Sequence, residues 1–269
     1  MIELKTEKQI ELMKVACKIV KGTLDIVEKN IRPGVSTYEL DQIAENYIRS
    51  QGAIPSCKGY YGYPASICAS VNDVVVHGIP SKNIILKEGD IISIDLCAFI
   101  RGFHGDAART FAVGKISEEK QRLIDITKQC FYEGLKAVKI GGTIGDIGHA
   151  IQTYAEKNGY SVVREMIGHG IGREMHEDPE VPNYGKQGTG AKIEEGMVIC
   201  IEPMINMGRK EITIDDDDWT CRTKDHKPSA HYENTVAITK NGIEILTIWG
   251  YNIWRQSLAN SYNQQKVET

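Results

Sequence analysis

The chain has 269 residues and a mass of 30.0 kDa, with 32 Lys+Arg against 36 Asp+Glu and a formal charge of −4. A composition of 41% hydrophobic and 25% charged residues excludes disorder and collagen-like repeats, and no apolar run nears the ~20 residues of a membrane span. A pI near 6.0 without a dense Lys/Arg block argues against nucleic acid as the main ligand. The opening MIELKTEKQIELMK is charged throughout and lacks the apolar centre of a secretory signal. The seven scattered cysteines therefore read as reduced thiols, and the expected location is the cytoplasm.

Ile10, Met13, Val20, Leu24 and Val27 recur at helical spacing and predict a helix over 7–29, broken by Arg32-Pro33-Gly34. Ser36 with Glu39 reads as a capping box opening a second helix through Ser50. A Gly/Tyr/Pro-rich loop over 57–64 precedes strands at 69–76, 91–98 and 103–113, the last two joined by a turn near Arg101-Gly102. Helices follow at 118–139 and 145–157, repeating the order of the first fifty residues at an offset near 108. Strands around Val162, at 197–201 and at 232–238 complete the second half, with Gly-rich loops and an acidic stretch at 215–218 between them. The expectation is one α+β domain of two similar halves.

Asp95 and Asp106 lie in the two arms of the predicted hairpin, placed nearly opposite each other. Ser93, Asp95 and Cys97 share one strand face, while Ile92, Ile94 and Leu96 share the other. Facing carboxylates repel, so the pair reads either as two solvated aspartates or as a shared divalent-metal site. Further on, His169 sits among glycines, Glu202 ends an apolar strand, and Glu233 heads another. Singly, each reads as a strand-end residue facing solvent. Together, four carboxylates and one histidine suit a pair of metals, with oxygen-rich ligation favouring Mn²⁺, Fe²⁺ or Co²⁺ over Zn²⁺.

Six segments then carry a resemblance: NDVVVHGIP at 72–80, SID at 93–95, GDAART at 105–110, GHGIG at 168–172, IEP at 201–203 and HYENT at 231–235. In order and spacing they resemble methionine aminopeptidase of the bacterial type I, over about 2–247. The resemblance implies a pita-bread fold with two pseudo-symmetric halves around a central sheet. It implies that Asp95 holds one divalent ion, His169 and Glu202 hold another, and Asp106 and Glu233 bridge them. The ions would be Co, Mn, Fe, Ni or Zn. It places His77 near the substrate amine, makes His176 a donor to the scissile carbonyl, and makes Glu202 the proton shuttle. Cys57, Tyr60, Tyr63, Cys68, Met175 and Trp219 would line the methionine pocket, where a thioether packs well against aromatic edges and sulfur. Met175 departs from the aromatic common at its position, and Glu174 from a residue that is often small. His231 reads as structural.

The resemblance further implies a monovalent-cation site at Asn72, Val74 and Ser229. The acidic stretch at 215–218 reads as a solvated loop, with a third metal site as the alternative. The expected partners are the N-termini of nascent polypeptides near the ribosome, with no direct nucleic-acid site, no membrane contact and a monomeric state. The expected organisation is one catalytic domain over 1–247, followed by an extension over 248–269 whose Trp249, Trp254, Tyr251, Ile253 and Leu258 dock on the body, with a partner or dimer contact as the alternative. Removal of the initiator methionine ahead of a small second residue is the function this implies. An Xaa-Pro dipeptidase on the same fold and a metal-free binding module are the alternatives.

Overall fold

The amino-terminal apolar stripe forms α1 (Glu7–Glu28) in the computed structural model of the chain, which describes residues 1–248. The extension and its tryptophans lie outside the described residues, apart from Ile248. Thr6 and Gln9 close a reciprocal capping box on α1 (2.8 and 3.3 Å). Ser36 and Glu39 do the same for α2 (Thr37–Ser50) at 2.8 and 3.2 Å, as the sequence predicts. The first half continues with β1 (Ile54–Pro55), β2 (Cys68–Val71), β3 (Val74–Val76), β4 (Ile91–Ile100) and β5 (Phe103–Ala112). The strand expected over 69–76 is two strands, because Asn72 turns the chain at φ 52°.

The second half opens with α3 (Glu118–Ala137) and α4 (Ile144–Lys157). Next come β6 (Ser161–Val162), β7 (Gly168–Gly170), β8 (Glu177–Val181) and β9 (Val198–Ile201). The remainder is β10 (Met204–Asn206), β11 (Ile212–Ile214), β12 (Cys221–Thr223), β13 (Ser229–His231), β14 (Asn234–Thr239) and β15 (Gly242–Ile245). Most strands beyond those predicted are two to five residues long, too short for an alternating pattern to be recognised. The GHGIG segment, expected as loop, is partly strand: β7 sits between β8 and β9 in a five-stranded sheet ordered β15-β14-β9-β7-β8.

In the first half β4 pairs β5 on one edge and β1 and β2 on the other. Val20, Leu24, Leu40 and Ile48 of the helices pack on its Ile92, Ile94 and Leu96. Leu123, Phe131, Ile147 and Ile151 of α3 and α4 pack likewise on Ile199, Ile201, Val236 and Ile238. Each buried aliphatic side chain of this size contributes about 1.5–3 kcal/mol. The helices thus cover the outer faces, and the polar face of β4 turns towards the other half.

The repeat is borne out at an offset of 107. The bridge Ser36↔Ile85 recurs as Thr143↔Lys192, and β4 begins at Ile91 where β9 begins at Val198. The same step carries Asp95 onto Glu202.

The β4–β5 register corrects one expectation. Asp95 pairs with Ala108 and Asp106 with Cys97, so the two aspartates are diagonal neighbours on one face and not opposite. The reason is the turn: Arg101 and Gly102, at φ 54° and 81°, form a two-residue loop closing on Ile100↔Phe103.

Beside Asp106, α1 rests directly on β5. A Cβ at Gly105 would lie 2.7 Å from Cys17 N and 2.8 Å from Cys17 Sγ. Gly105→Ala is expected to lower stability by about 1–3 kcal/mol, read as a lower urea midpoint at unchanged m-value.

Candidate active site

A cavity of about 420 Å³ opens between the two halves, and all thirteen residues assigned to the divalent-metal, catalytic or methionine-binding site line it. At its floor, β4 and β5 supply Asp95 and Asp106. Glu202 follows β9 and Glu233 precedes β14; the pair Asn234↔Ile201 puts them at the next position across from each other. The two halves are joined here: Glu233 N–H donates to Ala108 O (2.9 Å), and Thr235 Oγ1 bonds both Asp106 N–H (3.0 Å) and Asp106 O (2.8 Å).

These carboxylates are in each other's way. Burial raises Asp95 to about 7. Asp106 is pushed well up by burial and by the charge of Asp95, Glu202 by burial and both aspartates, and Glu233 by burial and the other three. Asp106 Oδ1 is buried and accepts no hydrogen bond. A buried acceptor left in this way is costly, and a cation beside it removes the cost.

His169 completes the set from β7. Its Nδ1 lies 2.8 Å from Gly170 O, so Nδ1–H donates there and Nε2 keeps its lone pair, 3.5 Å from Glu202 Oε1. Burial and the nearby His176 lower its pKa to about 3, which keeps the imidazole in the neutral, ligating form. Gly170 allows this strand in: a Cβ there would collide with Asp178 O. Donor atoms of Asp106, His169, Glu233 and Cys200 all lie within 4.8 Å of one another. Sequence reasoning missed Cys200, although strand alternation places it two residues before Glu202 on the same face. An oxygen-rich set with one imidazole fits divalent cations.

Two further residues escaped assignment. His231, read as structural, lies with Nε2 3.7 Å from Glu202 Oε2. Arg109, quoted only within a motif, is buried over the Tyr232 ring at 4.2 Å. It donates to Ala108 O (2.7 Å), Asn234 Oδ1 (2.6 Å) and the Glu233 carbonyl, holding the main chain that carries that carboxylate.

Sulfur and aromatic rings form the cavity wall. Cys57 and Cys68 are free thiols, and Tyr63 meets Trp219 edge to face at 5.0 Å. Tyr63 donates to Ile67 O and Gly78 O (both 3.1 Å). His77 stands 6.2 Å from Trp219 in the left-handed region at φ 59°; burial and His176 lower its pKa to about 4. Met175 is buried at the wall. Tyr60 Oη bonds His176 Nδ1 at 2.7 Å, and the His176 ring stands 4.3 Å from that of His169. His176 opens to the cavity yet is ringed by side chains, and desolvation holds it below the usual imidazole range. Tyr61, Val76, Glu165, Met166, Ile167 and Met204 also line the cavity without having been foreseen.

The acidic stretch is turn chemistry. Asp217 accepts from Trp219 N–H (2.9 Å) and Thr220 N–H (2.7 Å), and Asp215 pairs with Arg222 (2.7 Å), which together fix the turn that presents Trp219. Asn72 and Ser229 meet through the main chain. Ser229 N–H donates to Asn72 O (2.9 Å), and the Lys120 ammonium reaches Asn72 Oδ1 (3.1 Å) and Gly89 O (2.7 Å).

The family model of metallopeptidase family M24 matches residues 11–240. The chain belongs to metallopeptidase family M24. Among M24 relatives, the methionine aminopeptidase of Clostridium acetobutylicum is 55% identical over 248 residues, covering 92% of this chain and 99% of its own. The crystal structure of methionine aminopeptidase from Rickettsia prowazekii superposes with a TM-score of 0.90 at 44% identity, covering 92% of this chain and 100% of that one. Prolidase from Pyrococcus furiosus gives 0.75 at 25% identity, covering 92% of this chain and 66% of its own. The two half-sheets with their outer helix pairs are the pita-bread fold of this M24 chain.

The carboxylate cluster makes a signed prediction. Asp95 has a pKa raised from 3.8 to about 7 in the folded protein, so the folded state binds the extra proton and this group costs stability as pH rises through that window. Metal-free Asp95→Asn is therefore expected to melt higher than metal-free wild type at pH 8, with the gap closing as pH falls towards 4. Thermal melts in chelator across that range check it.

Proposed function

We propose that this chain is a metal-dependent aminopeptidase that hydrolyses the N-terminal methionine from polypeptides whose second residue is small. One observation carries the reading: a wall of thiols, a thioether and aromatic rings ends at four mutually repelling carboxylates and a neutral imidazole. The first part suits a methionine side chain, and the second suits divalent cations. Identity of 55% with a methionine aminopeptidase over nearly its whole length supports the same activity.

Asp95 would hold one divalent ion and His169 and Glu202 a second, with Asp106 and Glu233 shared. Such ions supply Lewis acidity, polarising a carbonyl and making water acidic near neutral pH. The chain's own groups do the rest. The wall of Cys57, Tyr63, Cys68, Met175 and Trp219 takes the methionine side chain and excludes water from it. His77, neutral at working pH, faces the substrate amine. If Tyr60 O–H donates to His176 Nδ1, the proton of that imidazole sits on Nε2, which donates to the scissile carbonyl oxygen as negative charge develops there. Glu202 carries the proton from water to the leaving amine. The ions would be Co, Mn, Fe, Ni or Zn, and Asn72, Val74 and Ser229 would hold a monovalent cation. The substrates would be nascent chains near the ribosome in the cytoplasm, met by a monomeric enzyme.

The Xaa-Pro dipeptidase reading is less well supported, since the prolidase likeness is 25% identical and the chain spans 66% of that protein. A metal-free binding module would have no use for all five donor residues.

Cleavage of Met-Ala, Met-Lys and Ala-Pro by chelated protein, with and without added Mn²⁺ or Co²⁺, tests the reading. Methionine is expected from Met-Ala only with metal, and from Met-Lys poorly. Proline from Ala-Pro without methionine from Met-Ala would favour the dipeptidase, and no cleavage with any metal would favour the binding module. Asp106→Ala and His169→Ala are each expected to abolish turnover while the metal-free proteins still unfold cooperatively. Near-wild-type turnover in either variant, after chelation and refilling, would sink the assignment.

A further inference from the structure

We propose that Lys5, in the segment ahead of α1, is a positioning residue for His176, acting through Glu177. The proposal rests on the role given above to His176. Lys5 is a buried lysine: its side chain is 1% exposed, and that of its partner Glu177 is 10% exposed. Its ammonium meets Glu177 Oε2 and donates to Glu3 O at 2.9 Å. Its main chain is fixed independently, because Lys5 N–H donates to Gly196 O at 2.7 Å. The ammonium is thus anchored to the body of the second half before it reaches the carboxylate.

Glu177 passes the constraint on. Its second oxygen, Oε1, accepts from Glu174 N–H at 3.1 Å, closing the turn from 174 to 177 across its own side chain. Met175 and His176 are the two residues inside that turn. Gly172 N–H donates to Glu174 O (3.1 Å), and Gly172 O accepts from His104 N–H (2.8 Å), so the turn is tied to β5 as well. Gly172 is the residue that lets the lysine in: a Cβ there would lie 2.8 Å from Lys5 Nζ and 2.7 Å from Glu177 Oε1, and closer still to Lys5 Cε. The main chain around residues 172–177 is therefore wound about one ammonium.

A surface ion pair of this kind would matter little. This one is nearly dry, and removing one partner leaves the other charge buried and unpaired. The carboxylate of Glu177 would then turn to water, releasing Glu174 N–H and the turn with it. His176 would keep its bond to Tyr60, but its ring would lose the main-chain frame that aims Nε2. Loss of aim at the reacting carbonyl acts on turnover more than on binding.

The test uses manganese-loaded protein and Met-Ala peptide. Lys5→Met removes the charge; Gly172→Ala, at a backbone angle open to alanine, displaces the lysine without removing it and serves if Lys5→Met folds poorly. Each is expected to lower kcat about tenfold or more with a smaller change in KM, and to speed amide hydrogen exchange over 172–178. His176→Asn is the reference. Combined with it, Lys5→Met should add no further loss, because both act on one group. If His176→Asn alone keeps wild-type kcat, the role of His176 fails and the proposal goes with it. If His176→Asn impairs turnover while Lys5→Met and Gly172→Ala leave kcat unchanged, the strap is structural only. Multiplying losses in the double variant, or unchanged exchange over 172–178, overturn the proposal equally.

Discussion

Mutual repulsion among Asp95, Asp106, Glu202 and Glu233 is the constraint on which the rest of the structure depends. Each is buried enough for desolvation to raise its pKa; Asp95 raises Asp106 further, both aspartates raise Glu202, and all three raise Glu233. A chain selected for stability alone would separate them or leave them in water. Here helix pairs cover the outer faces of two sheets, so the inner faces must meet, and the carboxylates meet with them. Hydrogen bonds between β5 and the start of β14 keep the halves from parting, and the buried Arg109 guanidinium adds positive charge next to the cluster while holding the Glu233 main chain. Protons relieve the repulsion in the metal-free protein, and divalent cations would relieve it in the working one.

The repeated architecture explains how such a cluster arises. One antiparallel pair from each half contributes two acids, and a step of 107 residues carries Asp95 onto Glu202. The second acids do not follow that step: Glu233 comes 127 positions after Asp106. The additional chain in the second half holds the short strands β10 to β13 and the turn that Asp217 locks around Trp219. Symmetry thus supplies the floor of the cavity, and departure from symmetry supplies part of its wall. The cavity histidines break the repeat separately: the step of 107 relates His169 to Gly62, His176 to Ala69 and His77 to Tyr184, none of them a histidine.

Much of this was legible in the chain. The four main helices follow from apolar spacing and capping residues, and Ser36 with Glu39 marks its helix start to the residue. The face of β4 that holds Asp95 follows from alternation, because isoleucines and a leucine claim the opposite face. The resemblance carried by the six motifs led to thirteen of the residues that line the cavity. The short strands, however, leave no periodic trace, and the glycines around His169 suggest loop where tertiary pairing makes strand. Cys200 shares a strand face with Glu202, and His231 and Arg109 fall within motifs, yet a buried thiol, imidazole or guanidinium is ordinary until its neighbours are known.

By itself, the sequence determined which groups are present, which face of β4 carries Asp95, and that apolar stripes would drive two helix pairs onto two sheets. These are local consequences of side-chain spacing and the hydrophobic effect. Only the tertiary structure decided distance. Asp95 and Asp106 became diagonal through the positive φ of two turn residues, Glu202 met Glu233 through the β9–β14 register, and Lys5 reached Glu177 across 172 positions. Electrostatics and hydrogen bonding depend on separations of a few ångströms between groups far apart in the chain, and no local pattern encodes those.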